Sequence, residues 1–428
     1  MISISRTFNG IIIIVPVIIG AYLSGMVYLA EGSAIPLTVF QIALVVAFFF
    51  FCFKKIADRD LSFSFYGLEI EYLLFLSIIF LSLIYSPERA EGLFYVTRYM
   101  VLIGLTYIIY NSINTKKELR IVCYAIIGIA VIVALQNIVT NVLNPEVAAF
   151  NYINEGQKII RARGAEADPN VFASNFFMPI MLLIALMGEA KNFKHRLFLY
   201  GLSGVIILSV LLTYSRSSWV AIFVAALLVM IYQKKYSFLF YSVIVTGLVF
   251  LGSDSVRNVV FSVAERVADI FAGTSDDSSR FRLILLETAI LMWLDSYTFG
   301  VGYQGFSTMF QNYYPPQEVG GVFEPHNEYY TVLAELGLIG FVVFMFLLWK
   351  IVKTGWNTLK AYNSQGYSTS ISLGLFASFI AYLVFFQFLG GMQLHSILTI
   401  NIGLLFCASK FVNTEEDSES ALQTEPVV

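Results

Sequence analysis

Apolar residues in this chain gather in long runs, broken by short polar stretches. Such runs lie near 10–29, 36–53, 68–85, 92–110, 121–142, 170–188, 196–213, 217–233, 237–252, 328–349, 371–389 and 396–411. A hydrocarbon core of ~30 Å takes ~20 residues of helix, which is the length of these runs. They far exceed the ~10-residue alternating strands of a membrane barrel. In lipid only helices and closed barrels satisfy every backbone group. The pattern therefore predicts an all-α polytopic membrane protein with about twelve transmembrane helices. The apolar core of the first run is longer than the 7–15 residues of a signal-peptide core, so that run is read as a helix.

Composition agrees. Hydrophobic residues make up 58% of the 428 and charged residues 13%, against roughly 25% charged in a soluble domain. The net charge of −3 gives no pointer to nucleic acid, and none is expected as a partner. The lipid bilayer is. Cys52, Cys123 and Cys407 fall in or at the ends of apolar runs without metal-ligand spacing, and read as small buried hydrophobes.

The lysines set the orientation. Lys54, Lys55 and Arg59 follow span two; Lys116, Lys117 and Arg120 follow span four; Lys191, Lys194 and Arg196 follow span six. Lys234 and Lys235 follow span eight, Lys350, Lys353 and Lys360 follow span ten, and Lys410 ends span twelve. All share a side with Arg6, so that side and both termini are expected in the cytoplasm. Residues 1–412 are read as one transmembrane domain, and the acidic stretch 413–428 as a disordered cytoplasmic tail.

Two loops on the opposite face, about 143–169 and about 253–327, are too long to be simple connectors. In the second, Val256, Val259, Val260, Val263, Val267 and Phe271 recur at helical spacing, which predicts a helix lying on the membrane or on the protein. A further helix is expected from Arg280 to about Leu294, after a polar turn at 273–279. Asp276-Asp277 is the one adjacent acidic pair of the outer loops and reads as turn solvation, not a metal site.

This face also collects arginines against the usual bias: Arg161 and Arg163 in the first loop, Arg216 in the short turn Tyr214-Ser215-Arg216-Ser217-Ser218, and Arg280 and Arg282 in the second loop. Arg98 sits about two turns inside span four, where an arginine needs a polar cavity or a partner. Several guanidinium forks converging on one cavity suit a diphosphate. The plainer reading is snorkelling, or pairing with Glu88, Glu91 or Glu166. Of three histidines, His195 falls in a cytoplasmic loop and His395 in a short outer turn. His326 stands at the outer mouth of span ten, where its imidazole could take a proton from a hydroxyl or serve a structural role. Glu335 lies about two turns into that span and is either functional or an arginine partner. Gly337 and Gly340 read as permitting close helix packing. Tyr303, Phe306, Phe310, Tyr313 and Tyr314 are either a sugar-stacking surface or interfacial aromatics.

These pieces, taken in order, resemble the O-antigen ligase and O-antigen polymerase superfamily of bacterial envelope glycosyltransferases. The resemblance covers 160–345. It rests on Arg282 and its helix, Gly300-Val301-Gly302 followed by Phe306, His326-Asn327-Glu328-Tyr329-Tyr330, and Glu335-Leu336-Gly337-Leu338-Ile339-Gly340. Arg163-Gly164 with Asp168-Pro169-Asn170, and Ser215-Arg216-Ser217, extend it. The chain departs from the commonest pattern at Leu285 and Leu286, where an aromatic often follows the helix arginine.

The resemblance implies a GT-C-like membrane fold and an undecaprenyl-pyrophosphate-linked glycan as donor. The acceptor would be lipid A-core or another glycan, and the active site would be periplasmic in the inner membrane. It implies His326 as the base and Arg163, Arg216 and Arg282 as pyrophosphate ligands. Arg280 competes with Arg282, since the two are two residues apart, and Arg98 is a further candidate ligand. Asn327, Tyr329 and Glu335 would support the site. No metal or cofactor is called for, because the diphosphate is already a good leaving group. A ligase is favoured over a polymerase of the same superfamily. A twelve-helix transporter is the reading from another class, disfavoured by the absence of an internal repeat.

Overall fold

The computed structural model describes residues 9–23, 38–59, 62–144, 149–154, 157–164, 166, 168–235, 277–314, 324–364, 369–391 and 395–423. The chain is a helical membrane protein. Helices α1 (Asn9–Leu23), α2 (Val39–Ala57), α3 (Glu69–Ser82), α4 (Arg89–Ser112) and α5 (Lys116–Leu143) come first. A hairpin of β1 (Ala149–Asn154) and β2 (Gln157–Ala162) follows. Then come α6 (Pro169–Ser174), α7 (Phe177–Glu189), α8 (Phe193–Leu211), α9 (Arg216–Tyr232), α10 (Asp277–Asp295), α11 (Phe306–Tyr313), α12 (Glu328–Ser364), α13 (Ser370–Phe385) and α14 (Ser396–Gln423). Among the described residues, six helical stretches are long and apolar enough to cross a membrane, and shorter apolar helices accompany them.

Every expected span meets a helix except the ninth, 237–252, which lies outside the described residues, as do the helix expected at 256–271 and Asp276. Three boundaries differ from expectation. The antiparallel β-hairpin departs from an all-α reading and occupies the first long loop. The sixth span is two helices, because the turn at Asn175–Phe176 interrupts it. Helix α12 runs on to Ser364, so Lys350, Lys353 and Lys360 ride on the helix instead of in the loop after it.

Local sequence starts several helices. Thr38 and Gln41 form a capping box on α2, and Thr115 and Glu118 form another on α5. Each supplies acceptors to N–H groups that no preceding turn can satisfy. The bundle closes around α7, buried along almost its whole length, with α13 packed on it. Buried polar side chains cross-link the helices: Asn137 Nδ2 donates to Ser209 Oγ (2.9 Å), Tyr22 to the Asn175 carbonyl (2.9 Å) and Tyr382 to the Ser174 carbonyl (3.0 Å). Lys350 pairs with buried Glu71 at 2.6 Å, tying α12 to α3. Cys123 and Cys407 are buried and all three cysteines are free.

One end of the bundle is basic and aromatic. The ammonium groups of Lys116, Lys353, Lys360 and Lys410 stand 4.8–5.5 Å from the ring centres of Tyr362, Trp349, Trp356 and Tyr110. Lysines over rings suit the headgroup level of a membrane. His326 lies at the other end of α12.

Candidate functional site

A broken helix builds this opposite end. At Gly337 the backbone of α12 is left-handed (φ 64°, ψ −167°). The expectation that Gly337 serves close helix packing is thus corrected: it stops one helix and starts another. The break frees backbone groups, and the loop 297–302 takes them up. Val301 N–H donates to the Ala334 carbonyl and Gly302 N–H to the Glu335 carbonyl, both at 2.9 Å. In return, Leu338 N–H donates to the Tyr297 carbonyl (2.9 Å) and Ile339 N–H to that of Thr298 (3.4 Å). Backbone approaching backbone leaves no room for a Cβ, and Gly300 and Gly302 supply the positive φ angles, 70° and 98°. Tyr85 and Ser86, at the start of α4, donate to the carbonyls of Phe299 (2.6 Å) and Tyr303 (2.8 Å) and hold the loop from its other side.

Glu335 belongs to this clasp. It is 5% exposed, and its carboxylate accepts the N–H groups of Gln304 and Phe306 (3.3 Å for the latter), at the start of α11. A carboxylate there meets the unpaired N–H groups and the positive end of a short helix. The aromatic candidates divide. Tyr303, Phe306 and Phe310 are buried, the two phenylalanines with Leu285, Met292 and Ala334 between α10, α11 and α12. They face protein, which overturns a sugar-stacking surface built on them, while Tyr313 and Tyr314 are half-buried at the edge.

The residues after His326 fix it in place. Asn327 caps α12: its Oδ1 accepts from Tyr329 N–H (3.0 Å) and Tyr330 N–H (3.2 Å), and its Nδ2 reaches the Gln387 carbonyl (3.1 Å). Tyr329 Oη donates to the Leu383 carbonyl (2.9 Å), and Glu328 N–H to that of Phe386 (2.8 Å). Both contacts anchor the start of α12 on the end of α13. His326 itself has φ +50°, a conformation uncommon outside glycine. Such strain persists where the surroundings impose it, often at functional sites.

The arginine loops converge on this end. Arg161 is a staple, donating to the Thr213 carbonyl (2.9 Å) and to Asn170 Oδ1 (3.2 Å). Ser215 Oγ donates to the same Asn170 oxygen at 2.8 Å. The Ala162 N–H to Leu212 carbonyl bond (2.9 Å) completes a seam between the hairpin and the α8–α9 turn. Arg163, half-buried just past β2, and Arg216, exposed at the first position of α9, are thereby carried on adjoining segments. Arg282 is exposed on α10, and of Arg280 only the backbone is described, in the first turn of that helix. Arg98 is exposed on α4.

Charges link these segments. Burial, then the neighbouring Arg282 cation, lower the His326 pKa below its ordinary value, and Asp168 opposes them. Asp168 also caps α6 through Asn170 N–H (2.5 Å). Arg98 stands by two other groups. Burial raises Glu166, against a hydrogen bond from Asn175 and the Arg98 charge. Burial and Arg98 both lower His395. Desolvation and the charges of Asp168 and Glu91 raise Glu324. The charges of Arg282 and Asp168 thus both act on His326, and that of Arg98 acts on Glu166 and His395. Glu88 accepts from Thr308 Oγ1 (2.7 Å). Glu166 was one of the arginine partners the sequence offered; Asp168 and Glu324 were not among the sequence candidates, and Asp168 was visible only as part of its Asp-Pro-Asn triplet.

The fold is that of a helical membrane protein with a broken apolar helix and a histidine of positive φ at its mouth. Residues 201–345 match the family described as O-antigen ligase. The match supports the resemblance to the O-antigen ligase and polymerase superfamily, whose members are membrane glycosyltransferase-like enzymes. The matched segment holds Arg216, Arg282, the Gly300–Gly302 clasp, His326 and Gly337; Arg98 and Arg163 lie outside it. No curated protein matches the chain.

Proposed function

We propose that this protein is an O-antigen ligase-type glycosyltransferase of GT-C-like architecture, with about twelve spans. It moves a glycan from undecaprenyl pyrophosphate to a hydroxyl of lipid A-core, at the periplasmic face of the bacterial inner membrane. What supports this is the matched segment and, within it, His326 at the mouth of α12, whose pKa is lowered by burial and by the Arg282 charge. The acceptor oxygen bonds to the anomeric carbon as the carbon–oxygen bond to the diphosphate breaks. The hydroxyl proton passes to the His326 imidazole, and the lipid diphosphate leaves with the bonding electrons. Arg163, Arg216 and Arg282 (or Arg280 in its place), with Arg98 as a further candidate, offset the charge that builds on the leaving group, worth several kcal/mol by analogy with other charge-stabilising sites. General-base assistance adds about 10²–10⁴-fold.

The test uses purified protein and lipid-linked donor. His326→Ala lowers transfer about 10²-fold or more, while His395→Ala, a half-buried group that caps α14, has the weaker effect on turnover. Arg216→Lys keeps a charge and loses the fork, so transfer falls, and Arg216→Ala weakens donor binding more than acceptor binding. Near-normal turnover in His326→Ala rules out the base; unchanged donor affinity in Arg216→Ala returns that arginine to snorkelling.

A further inference from the structure

Glycan transfer brings two substrates to His326. In a single displacement the acceptor oxygen enters opposite the departing diphosphate. The groups that hold the acceptor sugar therefore stand by the base and apart from the arginines. Two polar side chains beside His326 have the chemistry for this and take no part in the proton transfer.

Gln387 lies just past α13, in the turn that receives the start of α12. It is exposed, yet its amide is oriented. Asn327, next to His326 and 8% exposed, spends its Oδ1 on the Tyr329 and Tyr330 N–H groups, so it can only turn its Nδ2 toward Gln387. That nitrogen donates to the Gln387 carbonyl (3.1 Å) and to Gln387 Oε1 (3.2 Å). An amide whose oxygen is taken presents its NH₂ at the other end. This NH₂ has no hydrogen-bond partner among the described residues.

Glu324 stands two residues before His326 and is exposed. Its carboxylate lies against the same turn: a Cβ built on Gly390 would be 3.7 Å from Glu324 Oε2. It too has no hydrogen-bond partner among the described residues. The charges that act on it, those of Asp168 and Glu91, are both negative. A diphosphate is repelled by such surroundings, and an uncharged polyol is not. A carboxylate that only accepts and an amide end that only donates together match sugar hydroxyls, which do both.

We propose, on the glycosyltransferase reading, that Glu324 and Gln387 hold the terminal sugar of the acceptor. Glu324 accepts from its hydroxyls and the Gln387 NH₂ donates to another, which brings the attacked hydroxyl to the His326 imidazole.

Two measurements on the purified full chain test this. The probe is lipid A-core from a strain that makes no O-antigen. It is used intact for transfer from lipid-linked donor. Stripped of acyl chains and phosphates, it serves for calorimetric binding without donor. Gln387→Glu keeps the oxygen that Asn327 needs and loses the donor, while Glu324→Gln keeps the shape and loses the charge. Kinetics are read on the high-pH plateau, where a new carboxylate no longer alters the protonation of His326. Each variant should raise the acceptor KM and weaken oligosaccharide binding, about fivefold for Gln387→Glu and about tenfold for Glu324→Gln, in the range for losing a hydrogen bond to a neutral and to a charged group. Donor KM and kcat should hold. A purely structural part for Gln387 predicts the reverse: Gln387→Glu silent, and Gln387→Ala lowering kcat and melting temperature. Acceptor KM and oligosaccharide binding unchanged in both variants, or a rise in donor KM instead, overturns the acceptor site while wild-type transfer keeps the glycosyltransferase reading. Wild type that binds no oligosaccharide also overturns it. Binding that both substitutions weaken, in a wild type that transfers nothing, sinks the glycosyltransferase reading and leaves the sugar site standing.

Discussion

As the proposed base, His326 can accept a proton only while its imidazole is neutral, and its surroundings set the pH at which that form fills. Burial and Arg282 lower its pKa, and Asp168 raises it. The base form therefore fills as pH rises through this lowered value and is lost as pH falls below it. The acid limb of kcat/KM should lie below the ordinary histidine range. Arg282→Gln removes a lowering charge and should move that limb to higher pH. Asp168→Asn keeps an acceptor for the α6 cap but removes a raising charge, and should move it lower. Opposite shifts in pH–rate profiles of the two variants are the check; limbs that stay put in both exclude His326 as the titrating base. The sequence showed His326 through the residues that follow it. It could not show Asp168, one of 29 acidic residues, because its relation to His326 exists only once α6 and α12 meet.

Among the helices, α12 carries the most consequence. Asn327→Ala removes its N-cap, which costs about 1 kcal/mol, and releases the tie to Gln387. Stability should fall modestly while turnover falls further, because the His326 backbone loses its restraint. Gly337→Ala is harsher. A side chain at φ +64° costs about 1–2 kcal/mol, and its Cβ would overlap the Thr298 carbonyl. Lower melting temperature in detergent and loss of transfer are expected together, whereas Gly128→Ala on α5, with open space around it, should leave both unchanged. A Gly337→Ala protein as stable as wild type would mean the break is dispensable. Hydropathy found the run that became α12 but not its break, since a glycine in an apolar run reads the same in either hand. The β-hairpin was missed because its two six-residue strands carry no apolar signal comparable with the spans beside them. The five aromatics near His326 show another limit: composition does not say whether a ring faces a sugar or a core.

For the molecule as a whole, two experiments decide orientation and acceptor. Asn312 is exposed on α11 and Ser364 is exposed at the basic end of α12. In a background without the three native cysteines, Asn312→Cys should react with an impermeant thiol reagent on intact spheroplasts and Ser364→Cys should not. The reverse pattern overturns the orientation and the periplasmic site with it. Deleting the gene separates the two reactions of the superfamily. A ligase deletion leaves the acceptor bare while polymer accumulates on its lipid carrier. A polymerase deletion leaves single repeats attached to the acceptor, and that gel profile would exclude the ligase. Spans and motifs were legible because lipid imposes run length and a motif keeps its order in the chain. Convergence of the arginine loops was not, because a fork that staples, as in Arg161, and one that waits for substrate are the same side chain.

The clasp at Gly337 also bears on how the chain enters the membrane. In hydrocarbon an unpaired backbone group costs several kcal/mol, so a half-broken helix is a poor passenger through the insertion machinery. Here the partner strand of backbone, 297–302, is synthesised before the helix that needs it. When the ribosome reaches Leu338, the Tyr297 and Thr298 carbonyls have already been made, and the break can be closed as it arrives. Moving 297–302 downstream of α12 in a permuted gene would reverse that order and should cut membrane yield, even though every contact of the finished protein could still form.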